Sequence, residues 1–328
     1  MSAFSTPIPR RALAALLAAL AAVPVALLAG RSLRPVSSPV APLSAPARGL
    51  QVFHLGHSLV GPDIPHLLRQ FAGPDHVYHV QRGSGTSLRT HWEPAEAILD
   101  FEQANPPELW REARLAIGSG DYDAVILTEM VELRDAIKYF DAARYFHHWA
   151  ELARHGRPEV RLYLYETWHR LDDPEGWLER IDRDLEGLWL GPLLARDARR
   201  AQGQPVYLIP GGQALAAVTR AAESGEIPGL TTREALFARD DAGRVDPIHL
   251  SALGSYVIAL THYAVLYHRS PEGLPREVTL ADGTRFAALS RDGATALQQT
   301  VWRVVTTLPR TGLAPAAGSS PQGRSDNS

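Results

Sequence analysis

The chain has 328 residues, 45% of them hydrophobic, enough for a sizeable core in a single domain of about 260 residues once the ends are set aside. Its formal charge is −3 and Lys138 is its only lysine, so no basic field exists to attract nucleic acid. With no cysteine, disulfides, thiolate catalysis and a cysteine-linked lipid anchor are excluded.

Arg10-Arg11 precede an apolar run, Ala12 to Ala29, and Arg31 opens a Pro/Ser/Ala stretch reaching Pro46. The run is near the lower limit of ~17 residues for a spanning helix. Residues 1–30 are expected to be a signal anchor or a cleaved signal peptide, and Leu27 and Leu28, where a small-x-small cleavage site would lie, favour the anchor. Either form exports the rest of the chain to the periplasm, with attachment to the inner membrane through residues 12–29 as one outcome. Residues 31–48 read as a flexible linker.

Five runs rich in branched and aromatic residues are predicted strands: Leu50 to Leu55, Val77 to Gln81, Ala124 to Leu127, Val160 to Tyr165 and Val206 to Ile209. Helical spacing runs through Ile64 to Phe71, Pro107 to Ile117, Ala136 to Ala153 and Trp177 to Ala201, and returns in Ala252 to Tyr267. Strands alternating with helices imply parallel pairing and right-handed crossovers, hence an α/β/α sandwich around a five-stranded parallel sheet. Asp282-Gly283 signals a two-residue hairpin between Val278 to Leu280 and Thr284 to Ala287. A last helix is expected from about Asp292 to Thr307, so the domain spans 49–308, and residues 309–328 read as a disordered tail.

Ligands bind such sheets outside the carboxyl ends of the strands, so the residues following each run form the candidate site. They are Gly56-His57-Ser58, Arg82-Gly83-Ser84-Gly85, Thr128-Glu129, Glu166-Thr167-Trp168-His169 and Pro210-Gly211-Gly212, with Asp246 and His249 in a late loop. A serine hydroxyl needs an imidazole to take its proton, and a carboxylate to hold that imidazole, so Ser58, His249 and Asp246 are the candidate nucleophile, base and orienter. Trp168, Trp92, His169 and His57 are candidate substrate-binding residues at the rim, where rings stack on sugar faces. His54 alternates with apolar neighbours and reads as a core histidine, and His147-His148 as one face of an amphipathic helix. No histidine spacing suits a metal, and Gly83-Ser84-Gly85 lacks the rest of a nucleotide-binding loop, so no cofactor is expected.

From Leu50 to His268 these residues resemble the SGNH or GDSL-like hydrolases, which are esterases and acyl hydrolases or transferases with a flavodoxin-like fold. Gly56-His57-Ser58-Leu59 is similar to the family's Gly-Asp-Ser-Leu block, with His57 in place of the acid, and Asp246 and His249 match its closing Asp-x-x-His block. The resemblance implies an oxyanion hole built from the Ser58 N–H and the N–H of Gly83 or Gly85. In the third block the family's Gly-x-Asn is replaced by Leu127-Thr128-Glu129-Met130. An ionised Glu donates no hydrogen bond, so Glu129 is either a protonated oxyanion donor or a structural acceptor. The resemblance is therefore to a divergent branch, and it implies an exported serine esterase acting on O-acyl, foremost O-acetyl, groups of a carbohydrate. Acyl transfer to an envelope polysaccharide, or glycan binding with little catalysis, are the alternatives.

Overall fold

The computed structural model describes residues 40–314. The Ala12 to Ala29 segment, with the expected signal or anchor, lies outside the described residues, as do residues 315–328 of the expected tail.

Five strands form the parallel sheet: β1 (Gln51–His57), β2 (Val77–Gly83), β3 (Ala124–Leu127), β4 (Arg161–Glu166) and β5 (Val206–Pro210), in the order β2-β1-β3-β4-β5. Strand residues alternate between two cores, as a two-residue period requires. Val52, Ile126, Tyr163, Tyr165 and Ile209 pack beneath helices Asp63–Ala72, Gly211–Glu223, Ala252–Tyr267 and Arg291–Thr307. Phe53, Leu55, Val125, Leu127, Leu162 and Leu164 pack on the other face against helices Ala113–Gly118, Leu133–Tyr139 and Ala142–Gly156. The chain is thus the expected three-layer α/β/α sandwich. It leaves β1 for β2 on one side and returns to β3 on the other, so the sheet's switch point is the carboxyl end of β1.

Three predicted helices come out differently. Of Pro107 to Ile117 only Ala113–Gly118 is helical, because the segment first covers the sheet edge: Val80 N–H donates to Leu109 O (3.0 Å) and Arg111 N–H to Val80 O (3.3 Å). The Glu112 carboxylate then caps the helix through the Arg114 and Leu115 amides, 3.1 and 2.7 Å away. The run Ala136 to Ala153 breaks at Asp141, whose φ of 53° ends one helix and starts the next. Within Trp177 to Ala201 the α-helix Trp177–Asp184 widens into π turns over Leu185–Leu193, where Pro192 brings no N–H to the ladder, before the helix Leu194–Arg200.

Two antiparallel pairs complete the fold. β6 (Phe237–Arg239) pairs with β7 (Val245–Leu250), so Asp246 and His249 lie in a short strand rather than the expected loop. β8 (Glu277–Thr279) and β9 (Arg285–Ala287) form the predicted hairpin, but its loop has three residues, not two. Leu280 N–H bonds Thr284 O (2.8 Å), Gly283 N–H bonds Leu280 O (3.0 Å), and Gly283 takes a φ of 88° that suits glycine. The packed fold also runs past residues 49 and 308. Leu43 N–H bonds Gly312 O, Tyr207 Oη bonds Ala41 O and Leu208 N–H bonds Arg310 O, each at 2.8 Å, so residues 41–43 and 310–312 brace each other and β5 instead of hanging free.

Candidate functional site

Ser58 opens a single 3-10 turn, Ser58–Val60, at the carboxyl end of β1. Two buried imidazoles hold that turn. His57 Nδ1 accepts from the Leu59 N–H (3.3 Å), so its proton is on Nε2, which donates to the Glu129 carbonyl at 2.8 Å. His91 Nε2 donates to the Gly56 carbonyl (2.8 Å), while its Nδ1 accepts from Gln81 Nε2 (3.1 Å). Burial pushes both rings down to about 4, so each stays neutral and keeps the lone pair its bonding needs. Gly56 itself leaves room for the Thr128 methyl, which a Cβ would overlap.

From the other side β7 brings His249. Its Nε2 lies 3.1 Å from Ser58 Oγ and its Nδ1 2.9 Å from Asp246 Oδ2. Asp246 Oδ1 accepts from the Ile248 and His249 amides at 2.8 and 2.9 Å, which closes the four-residue turn on itself. Burial pushes the Asp246 carboxyl up, but those amides and the His249 ring outweigh it, and the group sits below its ordinary value. The structure thus aligns hydroxyl, imidazole and carboxylate in one hydrogen-bonded chain. The His249 side chain is 48% exposed, so the chain opens to solvent and to a substrate.

Of the two glycines expected as oxyanion donors, the backbone favours one. Val80 and Arg82 turn their N–H groups outward, to Leu109 O and Asn105 Oδ1, so the period of two turns the Gly83 N–H inward toward β1. Gly83 is also enclosed by Ile98 and Thr86, which a Cβ would overlap. Gly85, at a φ of 58°, lies in an open turn. Among the described residues the Gly85 N–H donates no hydrogen bond within the chain.

Glu129 is fully buried. Its Oε1 accepts from the Leu88 N–H (3.2 Å) and the Met130 N–H (2.8 Å), so it joins the loops after β2 and β3. Its Oε2 is enclosed and without a partner, hence out of a substrate's reach, and the geometry favours the structural acceptor over the oxyanion donor. Burial pushes the carboxyl up to about 7, against the pull of the two amides. Glu129→Gln keeps the acceptor and removes the buried charge, so its melting temperature is expected within a few degrees of wild type, with wild-type turnover. Glu129→Ala strands two buried amides and is expected to cost roughly 2–4 kcal/mol in a denaturant titration.

Of the four expected substrate-binding residues, His57, Trp168 and His169 are buried in the fold and Trp92 is half-buried. His57 has both nitrogens bonded in the nucleophile turn. Trp168 is 1% exposed and its indole N–H donates to the Ile248 carbonyl at 2.8 Å. His169 is buried 3.1 Å from Asp184 Oδ2, and burial together with the neighbouring Arg180 lowers its pKa. Trp92 stands edge-on to Trp149, with the Arg114 guanidinium over its ring at 4.2 Å. A run of loop residues after a strand suggested a rim, but Trp168 and His169 turn back into the protein.

One trio could be taken for a metal site: His147, Glu151 and Asp197. A cation already serves it, since Arg154 bonds both Asp197 oxygens at 2.8 Å and Glu151 Oε1 at 2.6 Å. His54 is in the core, as expected, with its ring 6.0 Å from that of His262.

No protein-family model matches the chain, and no curated protein matches it in sequence. One similar solved structure is the crystal structure of the lipase Lip_vut3 from a goat rumen metagenome. It is 13% identical, aligned over 66% of this chain and 98% of that one, with a TM-score of 0.38. The reading of the site therefore rests on its own geometry.

Proposed function

We propose that the chain is an exported serine esterase of a divergent SGNH-like type, cleaving O-acyl and foremost O-acetyl esters of a carbohydrate. One observation carries the reading: the Ser58–His249–Asp246 chain, with contacts of 3.1 and 2.9 Å, at the switch point of a parallel sheet. Asp246 fixes the His249 tautomer with the proton on Nδ1, which leaves the Nε2 lone pair facing Ser58 Oγ. In the proposed reaction that lone pair takes the hydroxyl proton as Oγ attacks the ester carbonyl. In this reaction the Ser58 and Gly85 amides stabilise the oxyanion. Collapse breaks the ester C–O bond, and the alcohol leaves with the proton from His249. Water then attacks the acyl-serine, gives its proton to His249, and releases the acid while Oγ recovers a proton.

The carbohydrate half of the proposal rests on the expected export of the chain, because the rings expected to stack on a sugar are engaged elsewhere. Attachment to a membrane through residues 12–29 belongs to the same proposal; among the described residues no helix is long and apolar enough to cross a membrane. The experiment is a comparison of p-nitrophenyl esters. Acetate is expected to be turned over at least ~10-fold faster than palmitate, the scale on which a pocket's fit to added methylenes discriminates. Faster cleavage of palmitate would replace the short-acyl reading with a lipase.

A further inference from the structure

The segment holding Asp246 and His249 is a bulge. β7 is paired with β6 at Arg239↔Val245 and Phe237↔Leu250, so residues 246–249 face only Ala238 on the partner strand. A bulge of this kind leaves its inner carbonyls without ladder partners. The loop after β4 supplies them. The Leu171 N–H donates to the Pro247 carbonyl at 2.7 Å, and the Trp168 indole N–H to the Ile248 carbonyl at 2.8 Å. Those are the two residues between the acid and the base.

The loop is itself anchored at both ends. Glu166 Oε2 accepts from the Gln213 N–H (3.2 Å) at the start of helix Gly211–Glu223, and the His169 carbonyl accepts from Trp177 Nε1 (3.0 Å). Trp168, enclosed in the core, has no freedom to swing. Two fixed donors on successive carbonyls set the orientation of the peptide planes leading to His249. A shift of about 1 Å there breaks the contact between imidazole and hydroxyl, and misplacement on that scale can cost about 10²-fold in rate.

We infer that the loop Trp168–Leu171 is a strap that positions His249 against Ser58, with the Trp168 indole N–H as its positioning group. The inference rests on the esterase reading for its kinetic consequence, but not for its structural one. Trp168→Phe keeps the ring in the core and removes the donor. On p-nitrophenyl acetate its kcat is expected to fall roughly 10- to 100-fold with KM within about twofold. The Ile248 and His249 amides are expected to exchange with deuterium at least ~10-fold faster than in the wild type.

Tyr267→Phe is the control, because it removes buried bonds to Leu50 N–H and His76 Nδ1, at 3.2 and 2.7 Å, at the far end of β1. It is expected to lower the melting temperature and leave kcat unchanged. Wild-type kcat in Trp168→Phe, or a kcat loss in the control matching its own, would overturn the strap. If the wild type cleaves no ester, the esterase reading fails and the strap is decided by exchange alone, with equal rates in the two proteins overturning it. The wild-type protein gives a test that needs no variant. The Leu171 amide and the Trp168 indole proton are expected to exchange at least ~100-fold more slowly than free groups, and rapid exchange of either would overturn the strap.

Discussion

Ser58→Ala is expected to lower turnover of p-nitrophenyl acetate by roughly 10⁴- to 10⁶-fold while the melting temperature stays within a few degrees of wild type. The size follows from the arrangement. Oγ is the atom that bonds to the acyl carbon, and the imidazole 3.1 Å from it is placed to take its proton. His249→Ala is expected to cost as much, because nucleophile and base act as a unit. The double variant is expected to lose no more than either single one. Asp246→Asn retains the geometry but favours the wrong tautomer, so its loss should be smaller, on the order of 10²- to 10⁴-fold. Kinetics on the four purified proteins check this; additive losses at Ser58 and His249 would show that they are not partners.

The second large effect is on stability in acid. His57, His76, His91 and His262 are all held at about 4 by burial, against an ordinary value of 6.5. Each therefore binds fewer protons folded than unfolded between those limits, and stability is lost as the pH falls from 6.5 to 4. Glu129 and Glu166 act in the opposite sense. Burial raises them to about 7 and about 8, so their contribution is complete below about 4.5 and is lost as the pH rises to those values. Four histidines outweigh two carboxyls in the acid window. At ~1.4 kcal/mol per pH unit and group, the net loss is on the order of 5–10 kcal/mol, comparable with the whole stability of many domains. The melting temperature is expected to peak near neutral pH and fall steeply toward pH 4. His91→Gln should flatten the slope; a profile level from pH 7 to 4 would show that these rings titrate freely.

What the sequence disclosed and what it hid divide along range. Strand residues announce themselves locally: Ala124 to Leu127 is an unbroken apolar run, and the helix Ala252–Tyr267 an apolar stretch after a Ser251 cap, so the elements and layers were readable. The order of the nucleophile and the Asp-x-x-His block was readable for the same reason, since each motif is contained within one turn. The partners of Trp168 and His57 were not. Trp168 meets Ile248, 80 residues away, and His57 meets Glu129, 72 away, and no spacing in the chain encodes either contact. An aromatic residue after a strand reads equally well as a rim or as a prop, and only the tertiary fold chooses. The helix breaks at Asp141 and Pro192 were visible as residue types, but the apolar periodicity on both sides continues through them. His91 gave no local signal at all; its role follows from the turn it supports.

The central claim is that Ser58 is an activated nucleophile, and a fluorophosphonate probe tests it most directly, because the phosphorus accepts the serine oxygen as the fluoride leaves. Incubation of the wild-type protein followed by peptide mapping is expected to place a single adduct on the peptide bearing Ser58. The adduct should be absent in Ser58→Ala and strongly slowed in His249→Ala. A folded wild-type protein that binds glycans but forms no adduct, or forms it on another residue, would contradict the account and leave a binding domain in its place.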